Sequence, residues 1–173
     1  MTGGLAADAA RVTAILVVGA IAGLGSNAWR SDGVELGRTY FLEDADRAEL
    51  LEDGFALVDT ARAQALFQEA RDYPGFVVFL DARDDELFSA GRVRGALQLD
   101  FYRLHEQLAA VRPALEAADT VVVYCGSIEC DDALLLCRAL RDSYSFPAEK
   151  LKLYRDGFAA WQAAGSPVSE GVR

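Results

Sequence analysis

Two cysteines five positions apart, Cys125 and Cys130, are the residues of this sequence best suited to chemistry. They follow an apolar run at residues 120–123 and precede a helical pattern that begins at Ala133. We therefore expect Cys125 where a buried strand ends and a helix begins, which is where ligands gather in open α/β sheets. The first turn of that helix offers unpaired N–H groups and a positive dipole end, and both favour a thiolate over a thiol. The pattern predicts that Cys125 is a nucleophile.

The composition excludes several classes of protein. A chain of 173 residues is long enough for one domain with a hydrophobic core. With 52% hydrophobic and 25% charged residues it is not a disordered chain. A net charge of −10 argues against a nucleic-acid surface, because phosphate binding needs clustered Lys and Arg. Three cysteines are too few for a disulfide framework and match no four-ligand zinc pattern, so we expect neither metal nor cofactor.

The N-terminal segment, residues 1–29, is predicted to be a membrane anchor. Residues 12–29 carry no charge, and a helix of that length spans roughly 27 Å of a bilayer core of about 30 Å. A cleaved signal peptide and a buried helix are the alternatives. Gly19 and Gly23 form a small-xxx-small pair through which two such helices could associate. We expect anchoring in an inner membrane, with the C-terminal domain outside the cytoplasm.

An acidic connector at residues 30–54, with a short helix near residues 42–51, precedes a domain over residues 55–173 in which strands and helices alternate. Strands are predicted at residues 56–58, 76–80, 96–99, 120–124 and 150–154. Helices are predicted at residues 61–71, 101–115 with a break near Pro113, 133–141 and 157–164, together with a short helix that Asp84 caps and that ends at Gly91. Alternating strands and helices indicate a mainly parallel sheet covered on both faces.

Several segments between residues 55 and 168 resemble the rhodanese-like family. They are residues 80–83 (Leu-Asp-Ala-Arg), 86–88 (Glu-Leu-Phe), 91–96 (Gly-Arg-Val-Arg-Gly-Ala), 121–125 (Val-Val-Val-Tyr-Cys), 153–161 (Leu-Tyr-Arg-Asp-Gly-Phe-Ala-Ala-Trp) and 164–168 (Ala-Gly-Ser-Pro-Val). The resemblance implies an α/β fold, a rhodanese-like three-layer domain with a mainly parallel five-stranded sheet. The complete predicted architecture adds one N-terminal transmembrane helix. The family's usual chemistry, sulfane-sulfur transfer through a cysteine persulfide, is expected at Cys125.

The predicted site is the loop that contains both cysteines. Cys125 and Cys130 are the predicted catalytic residues, and Asp81 and Arg83 are predicted to support the loop. The residues predicted to line the loop and bind substrate are Gly126, Ser127, Ile128, Glu129 and Asp131. Gly126 permits the unusual backbone angles that an anion-binding loop needs.

The loop also departs from the family's pattern. It contains no Lys or Arg, and Glu129, Asp131 and Asp132 bring negative charge, which disfavours a thiolate and repels thiosulfate. Arg92 and Arg94 replace the His and Pro of the first signature and are the candidate sources of positive potential.

The second cysteine suggests a redox hypothesis. Cys125 accepts sulfur or is oxidised, and Cys130 resolves it as an intramolecular disulfide. The alternatives are that Cys130 only fills the loop, or that the pair forms a standing disulfide. The predicted function is therefore sulfane-sulfur transfer or thiol redox exchange with a small sulfur donor or thiol acceptor. The alternative is a catalytically silent rhodanese-fold binding module or an accessory subunit of a membrane complex, and no nucleic-acid partner is expected.

Three further residues are predicted to have structural roles. Cys137 lies on the apolar face of its helix and is expected in the core, and His105 is expected to be exposed. Arg83 and Glu86 have a spacing that suits a local ion pair.

Overall fold

The computed structural model describes residues 3–29 and 53–171, in two units, Met1–Thr39 and Tyr40–Arg173, which are treated separately. The first unit contains helix α1, Gly3–Trp29. The predicted helix is thus present, but the predicted membrane span is not supported. Within the described ranges no helix is both long and apolar enough to cross a bilayer. The short helix predicted in the acidic connector lies outside the described residues.

The second unit is built on a five-stranded, fully parallel sheet in the order β1-β6-β5-β2-β4. This confirms the predicted mainly parallel five-stranded sheet. Its strands are β1 (Ala56–Val58), β2 (Val77–Asp81), β4 (Leu97–Gln98), β5 (Thr120–Tyr124) and β6 (Leu151–Tyr154). Two short strands that were not predicted, β3 (Arg92–Val93) and β7 (Val168–Ser169), form a separate antiparallel pair.

Helices cover both faces of the sheet, which gives the predicted three layers. They are α2 (Thr60–Asp72), α3 (Asp85–Ala90), α4 (Leu104–Ala117), α5 (Asp132–Tyr144) and α6 (Gly157–Ala163). One hydrophobic cluster joins α4 and α5 to the sheet, with Leu108 and Leu136 among its buried residues. The other joins α2 and α6 to the opposite face, around Phe67 and Trp161. Burial of this apolar surface is the main force that stabilises the sandwich.

The predicted helix break near Pro113 is wrong. A 3₁₀ helix at Phe101–Arg103 leads into α4, which continues through Pro113 to Ala117. A proline inside a helix removes one backbone hydrogen bond, which favours a break. Here Leu115, two residues after Pro113, is completely buried in the core. Its packing outweighs the lost hydrogen bond.

The register of the sheet places the candidate site at its carboxyl edge. Asp81 at the end of β2 pairs with Tyr124 at the end of β5, and Tyr124 pairs with Tyr154 at the end of β6. The segments that follow these three strands therefore meet beside β5, the central strand. One of them is the loop that contains both cysteines.

Candidate active site

A disulfide bond joins Cys125 and Cys130 and closes the loop between β5 and α5. The two Cα atoms are 6.1 Å apart, within the range that a disulfide requires. Cys125 is buried with 3% of its surface exposed, while Cys130 is half-buried. The loop thus brings its two sulfurs within bonding reach, which both the resolving hypothesis and the standing-disulfide alternative require.

The start of α6 holds the first residues of this loop. The backbone N–H of Phe158 donates to the carbonyl of Cys125 at 2.8 Å, and that of Ala159 donates to the carbonyl of Gly126 at 2.9 Å. These are N–H groups of the first helical turn, which have no partner inside the helix. They fix the main chain around Cys125 while the sulfur faces a cavity.

Gly157 allows this close approach between α6 and the loop. Its φ of 70° lies in the left-handed region, and a Cβ built on it would stand 2.8 Å from both the carbonyl oxygen of Cys125 and the nitrogen of Ser127. No side chain fits there without moving backbone. A second contact comes from Arg155, whose Nη2 donates to the carbonyl of Ile128 at 3.1 Å.

Asp81 and Arg83, the two residues predicted to support the loop, form a buried ion pair beside it. Arg83 Nε and Nη2 donate to the two Asp81 carboxylate oxygens at 2.9 and 2.6 Å, and Nη2 also donates to the Gly91 carbonyl at 2.6 Å. Burial alone would lower the pKa of Arg83, but the bonds to Asp81 and its charge outweigh burial and raise it. The predicted local pair with Glu86 is replaced by this one, because Asp81 lies directly in the turn beside the guanidinium. Arg83 also stacks on Phe158, with 4.4 Å between the guanidinium carbon and the ring centroid.

Tyr124 completes the base of the site. Its hydroxyl accepts the backbone N–H of Val93 at 3.1 Å. Burial, reinforced by the charge of Asp81 and a hydrogen bond with it, raises the pKa of Tyr124 well above its usual value. The side chain is therefore neutral and structural.

The two arginines considered as sources of positive potential, Arg92 and Arg94, lie outside the cavity that contains the two cysteines. Arg92 is buried and its Nη1 donates to the carbonyls of Gly171 at 2.7 Å and Phe88 at 3.3 Å. Arg94 is exposed and borders a different cavity, with Phe67 and Val77. Neither residue lines the cavity beside the two cysteines.

A cavity of about 260 Å³ opens next to the two sulfurs. Its walls are formed by Ala82, Arg83, Asp84, Leu87, Asp100, Tyr102, Cys125, Gly126, Cys130 and Asp132. Within it, Asp132 Oδ2 lies 3.5 Å from Cys130 Sγ and 3.9 Å from Cys125 Sγ. The ligand atoms of these three residues all lie within 4.8 Å of one another, close enough to hold one metal ion.

Asp132 was noted in the sequence only for its negative charge, and Asp131 was predicted as the site residue in its place. Asp131 is exposed, and its contribution is a backbone carbonyl that accepts the N–H of Leu135 at 2.9 Å. Asp132 is the first residue of α5 and half-buried beside the sulfurs. Its position two residues after Cys130, at the start of a helix, is the signal that could have identified it.

Tyr102 lines the same cavity as Asp132. The negative charge of Asp132, with a hydrogen bond between the two side chains, raises the pKa of Tyr102. Tyr102 is itself held by its backbone N–H, which donates to the carboxylate of Asp100 at 2.9 Å.

Among the other predicted loop residues, Ser127 accepts the N–H of Cys130 through its carbonyl at 3.1 Å, and Glu129 is exposed.

Cys137 and His105 have the structural positions that were predicted. Cys137 is fully buried on α5, and burial strongly raises the pKa of its thiol. His105 is exposed, and its Nδ1 lies 2.6 Å from the hydroxyl of Tyr144.

Comparison with known proteins agrees with this geometry. The rhodanese-like domain matches residues 50–164, which is more than half of the chain. The chain belongs to the rhodanese-like family. The resemblance drawn from the sequence segments is thereby confirmed for the fold and the family.

One curated relative of this rhodanese-like protein is the HTH-type transcriptional regulator Rv0324 of Mycobacterium tuberculosis. The two are 32% identical over 98 residues, which are 57% of this chain but 40% of the relative. This chain thus spans less than half of that protein's length.

Two solved structures share the fold. The BH2092 protein of Bacillus halodurans superposes with a TM-score of 0.56 at 15% identity, covering 73% of this chain and 85% of that one. A thiosulfate sulfurtransferase of Pseudomonas aeruginosa gives a TM-score of 0.51 at 18% identity, covering 70% of this chain and 21% of that one. At such identities the likeness describes the fold alone.

Proposed function

We propose that this rhodanese-like domain transfers sulfane sulfur through a persulfide on Cys125 and that Cys130 resolves the persulfide. The observation that carries the proposal is the bond between the two sulfurs at the carboxyl end of the central strand. A thiol that can bond to Cys125 Sγ can also attack it when it carries an extra sulfur atom. Family membership supports the first step, and the second cysteine supports the second.

The proposed steps balance as follows. The Cys125 thiolate attacks the sulfane sulfur of a donor RS–SH, which gives Cys125–S–SH and releases RS⁻. The Cys130 thiolate then attacks Cys125 Sγ, forms the disulfide and expels HS⁻. The sulfane sulfur is reduced to sulfide by two electrons from the two thiols. An external dithiol resets the protein by reducing the disulfide.

Local charge favours persulfide or other thiol-bound donors over thiosulfate. Asp132 stands beside both sulfurs, and the guanidinium of Arg83 is already bound to Asp81. A dianion entering the cavity would meet this carboxylate, while the guanidinium that lines the cavity in the described part of the chain is already paired. A donor with little charge avoids this repulsion.

Intact-mass analysis and sulfide assay of the reduced protein, after addition of an organic persulfide, test the proposal. The wild type should release sulfide and lose two protons. Cys130→Ser should stop at the persulfide and gain the mass of one sulfur atom, whereas Cys125→Ser should do neither. Cys137→Ala, which removes the buried thiol, should behave as the wild type. Sulfide release by Cys125→Ser at the wild-type rate would contradict the proposal.

The second candidate is a catalytically silent binding module or an accessory subunit of a membrane complex. It is favoured by the acidic, arginine-free loop, because the described basic groups nearest the cavity are engaged in the fold. The same experiment separates the two functions. Equal, background-level sulfide release by the wild type, Cys125→Ser and Cys130→Ser would favour the binding module.

We also propose that α1 associates with a membrane. The support is the exposure of its large apolar side chains, since exposed apolar surface of this kind commonly marks an interaction site. These side chains are Val12, Ile15, Leu16, Val17, Val18, Ile21 and Leu24. In flotation with lipid vesicles, the wild type should rise with the lipid and the Leu16→Lys/Ile21→Lys variant should not. Leu87→Lys, which alters an exposed leucine of the second unit, is the matched control and should float.

A further inference from the structure

We infer that the reduced form of the loop is a binding site for a thiophilic divalent cation, Zn²⁺, held by Cys125 Sγ, Cys130 Sγ and the Asp132 carboxylate. The ligand atoms of the three residues lie within 4.8 Å of one another. Thiolate sulfur and carboxylate oxygen are both established ligands of zinc. The sequence lacks a four-ligand pattern, but three protein ligands with one open position is the other common arrangement.

The distances suit a tetrahedral ion. With Zn–S about 2.3 Å and Zn–O about 2.1 Å, a tetrahedral site separates two sulfurs by about 3.8 Å and sulfur from oxygen by about 3.6 Å. Asp132 Oδ2 stands 3.5 Å from Cys130 Sγ and 3.9 Å from Cys125 Sγ. The carboxylate oxygen thus already lies at about the separation from each sulfur that two ligands of one tetrahedral zinc ion have. Only the two sulfurs would have to move apart after the disulfide is reduced.

The surroundings favour a cation over an anion. Asp84 and Asp100 line the same cavity as Asp132, so its walls carry several carboxylates. Arg83 lines it too, but its guanidinium is paired with Asp81. The acidity that repels thiosulfate would attract Zn²⁺. Tyr102, through its hydrogen bond to Asp132, orients the carboxylate as outer partners of metal ligands commonly do.

Metal binding and disulfide formation exclude each other here. A dithiol reductant supplies two electrons and two protons to the disulfide, which becomes two thiols, while the dithiol is itself oxidised to a disulfide. Zn²⁺ then displaces both thiol protons and takes the thiolates, which are no longer free to form a disulfide. The cavity leaves the fourth position to water or to a small thiolate. This inference does not depend on sulfur transfer.

Anaerobic titration of the reduced full chain with Co²⁺, a spectroscopic substitute for zinc, tests the site. We expect one Co²⁺ per chain, absorption bands of thiolate-to-cobalt charge transfer, release of about two protons and displacement by Zn²⁺. Cys130→Ser and Asp132→Asn should each weaken binding by about 100-fold, and Tyr102→Phe by about 10-fold. Asp131→Asn, which changes the exposed neighbouring carboxylate, should bind as the wild type does.

Charge-transfer bands that are absent from the wild type would overturn the inference, and so would an Asp132→Asn affinity equal to that of Asp131→Asn. Circular dichroism of each variant shows that it is folded before the comparison is made. Wild-type protein that releases sulfide from a persulfide but binds no Co²⁺ would contradict the metal site alone. Protein that binds Co²⁺ but releases no sulfide would contradict sulfur transfer alone.

Discussion

Two cysteines and one aspartate, Cys125, Cys130 and Asp132, line one cavity, and the charge of the aspartate affects the reactivity of both thiols. Asp132 places a negative charge beside both sulfurs, which opposes the thiolate that attack on a donor requires. Cys130 compensates by offering a second sulfur within bonding distance of Cys125. The site is therefore better suited to passing on or releasing sulfur than to storing a persulfide anion.

Cys137 differs from these two cysteines because burial holds its thiol in the neutral form. Because the pKa of Cys137 is raised in the folded state, its contribution to stability is complete below the ordinary thiol pKa of about 8.5 and falls as pH rises above that value, where the unfolded chain ionises first. In the reduced native protein we expect two thiols to react with iodoacetamide and Cys137 to react about 1000-fold more slowly or less. Mass spectrometry of samples alkylated with and without urea measures this, and Cys137→Ala should lose only the slow site. Three equally fast thiols would contradict it.

Among the helices, α6 has the closest relation to the loop, and Gly157 is the position that permits it. Gly157→Ala should lower the free energy of unfolding by about 2 kcal/mol or more, because strain at positive φ adds to a collision with the main chain of Cys125. Gly165→Ala is the matched control: Gly165 has a similar φ of 65°, but a Cβ there meets open space. It should cost about 1 kcal/mol. Urea unfolding measures both, and equal losses would show that the contact with the loop is unimportant.

The end of β2 is joined to the end of α3 by the Asp81–Arg83 pair, because Arg83 also donates to the carbonyl of Gly91, the residue that follows α3. Arg83→Met should destabilise the domain by about 3–5 kcal/mol, because it leaves the Asp81 carboxylate buried without a partner. Arg103→Met removes an arginine whose ion pairs with Asp85 and Glu106 are exposed, and it should cost no more than about 1 kcal/mol. Denaturant unfolding under identical conditions compares them. Similar losses would mean that the buried pair contributes no more than a surface one.

Across the whole molecule, the sequence predicted what local patterns determine. β1 and β5 were located to the residue, because each is a short apolar run rich in β-branched or aliphatic residues and is followed by turn or loop residues. The β3–β7 pair was missed, because it joins Val93 to Val168, residues far apart in the chain. Asp132 was not predicted as a site residue for a similar reason: its place in the site depends on the distance to two sulfurs, which sequence spacing does not give. Sequence spacing suggested an ion pair between Arg83 and Glu86, whereas in the folded domain Arg83 forms a buried ion pair with Asp81.

The charge of the whole chain adds to that of the site and should govern the choice of sulfur donor. At a net charge of −10, the protein repels a dianion such as thiosulfate over about 30 Å at 0.01 M salt but over only about 8 Å at 0.15 M. In Cys130→Ser, which would retain the persulfide, we expect thiosulfate to react roughly tenfold faster at the higher salt concentration.

A neutral organic trisulfide provides the comparison, since its rate should change less than about twofold with salt. Intact mass against time measures both rates. In the Glu129→Lys/Asp131→Lys background the salt effect on thiosulfate should shrink, because these two exposed carboxylates belong to the loop itself. A thiosulfate rate that falls as salt is added would reveal a net attractive field at the cavity, and the acidic loop would then not be the reason for the donor preference.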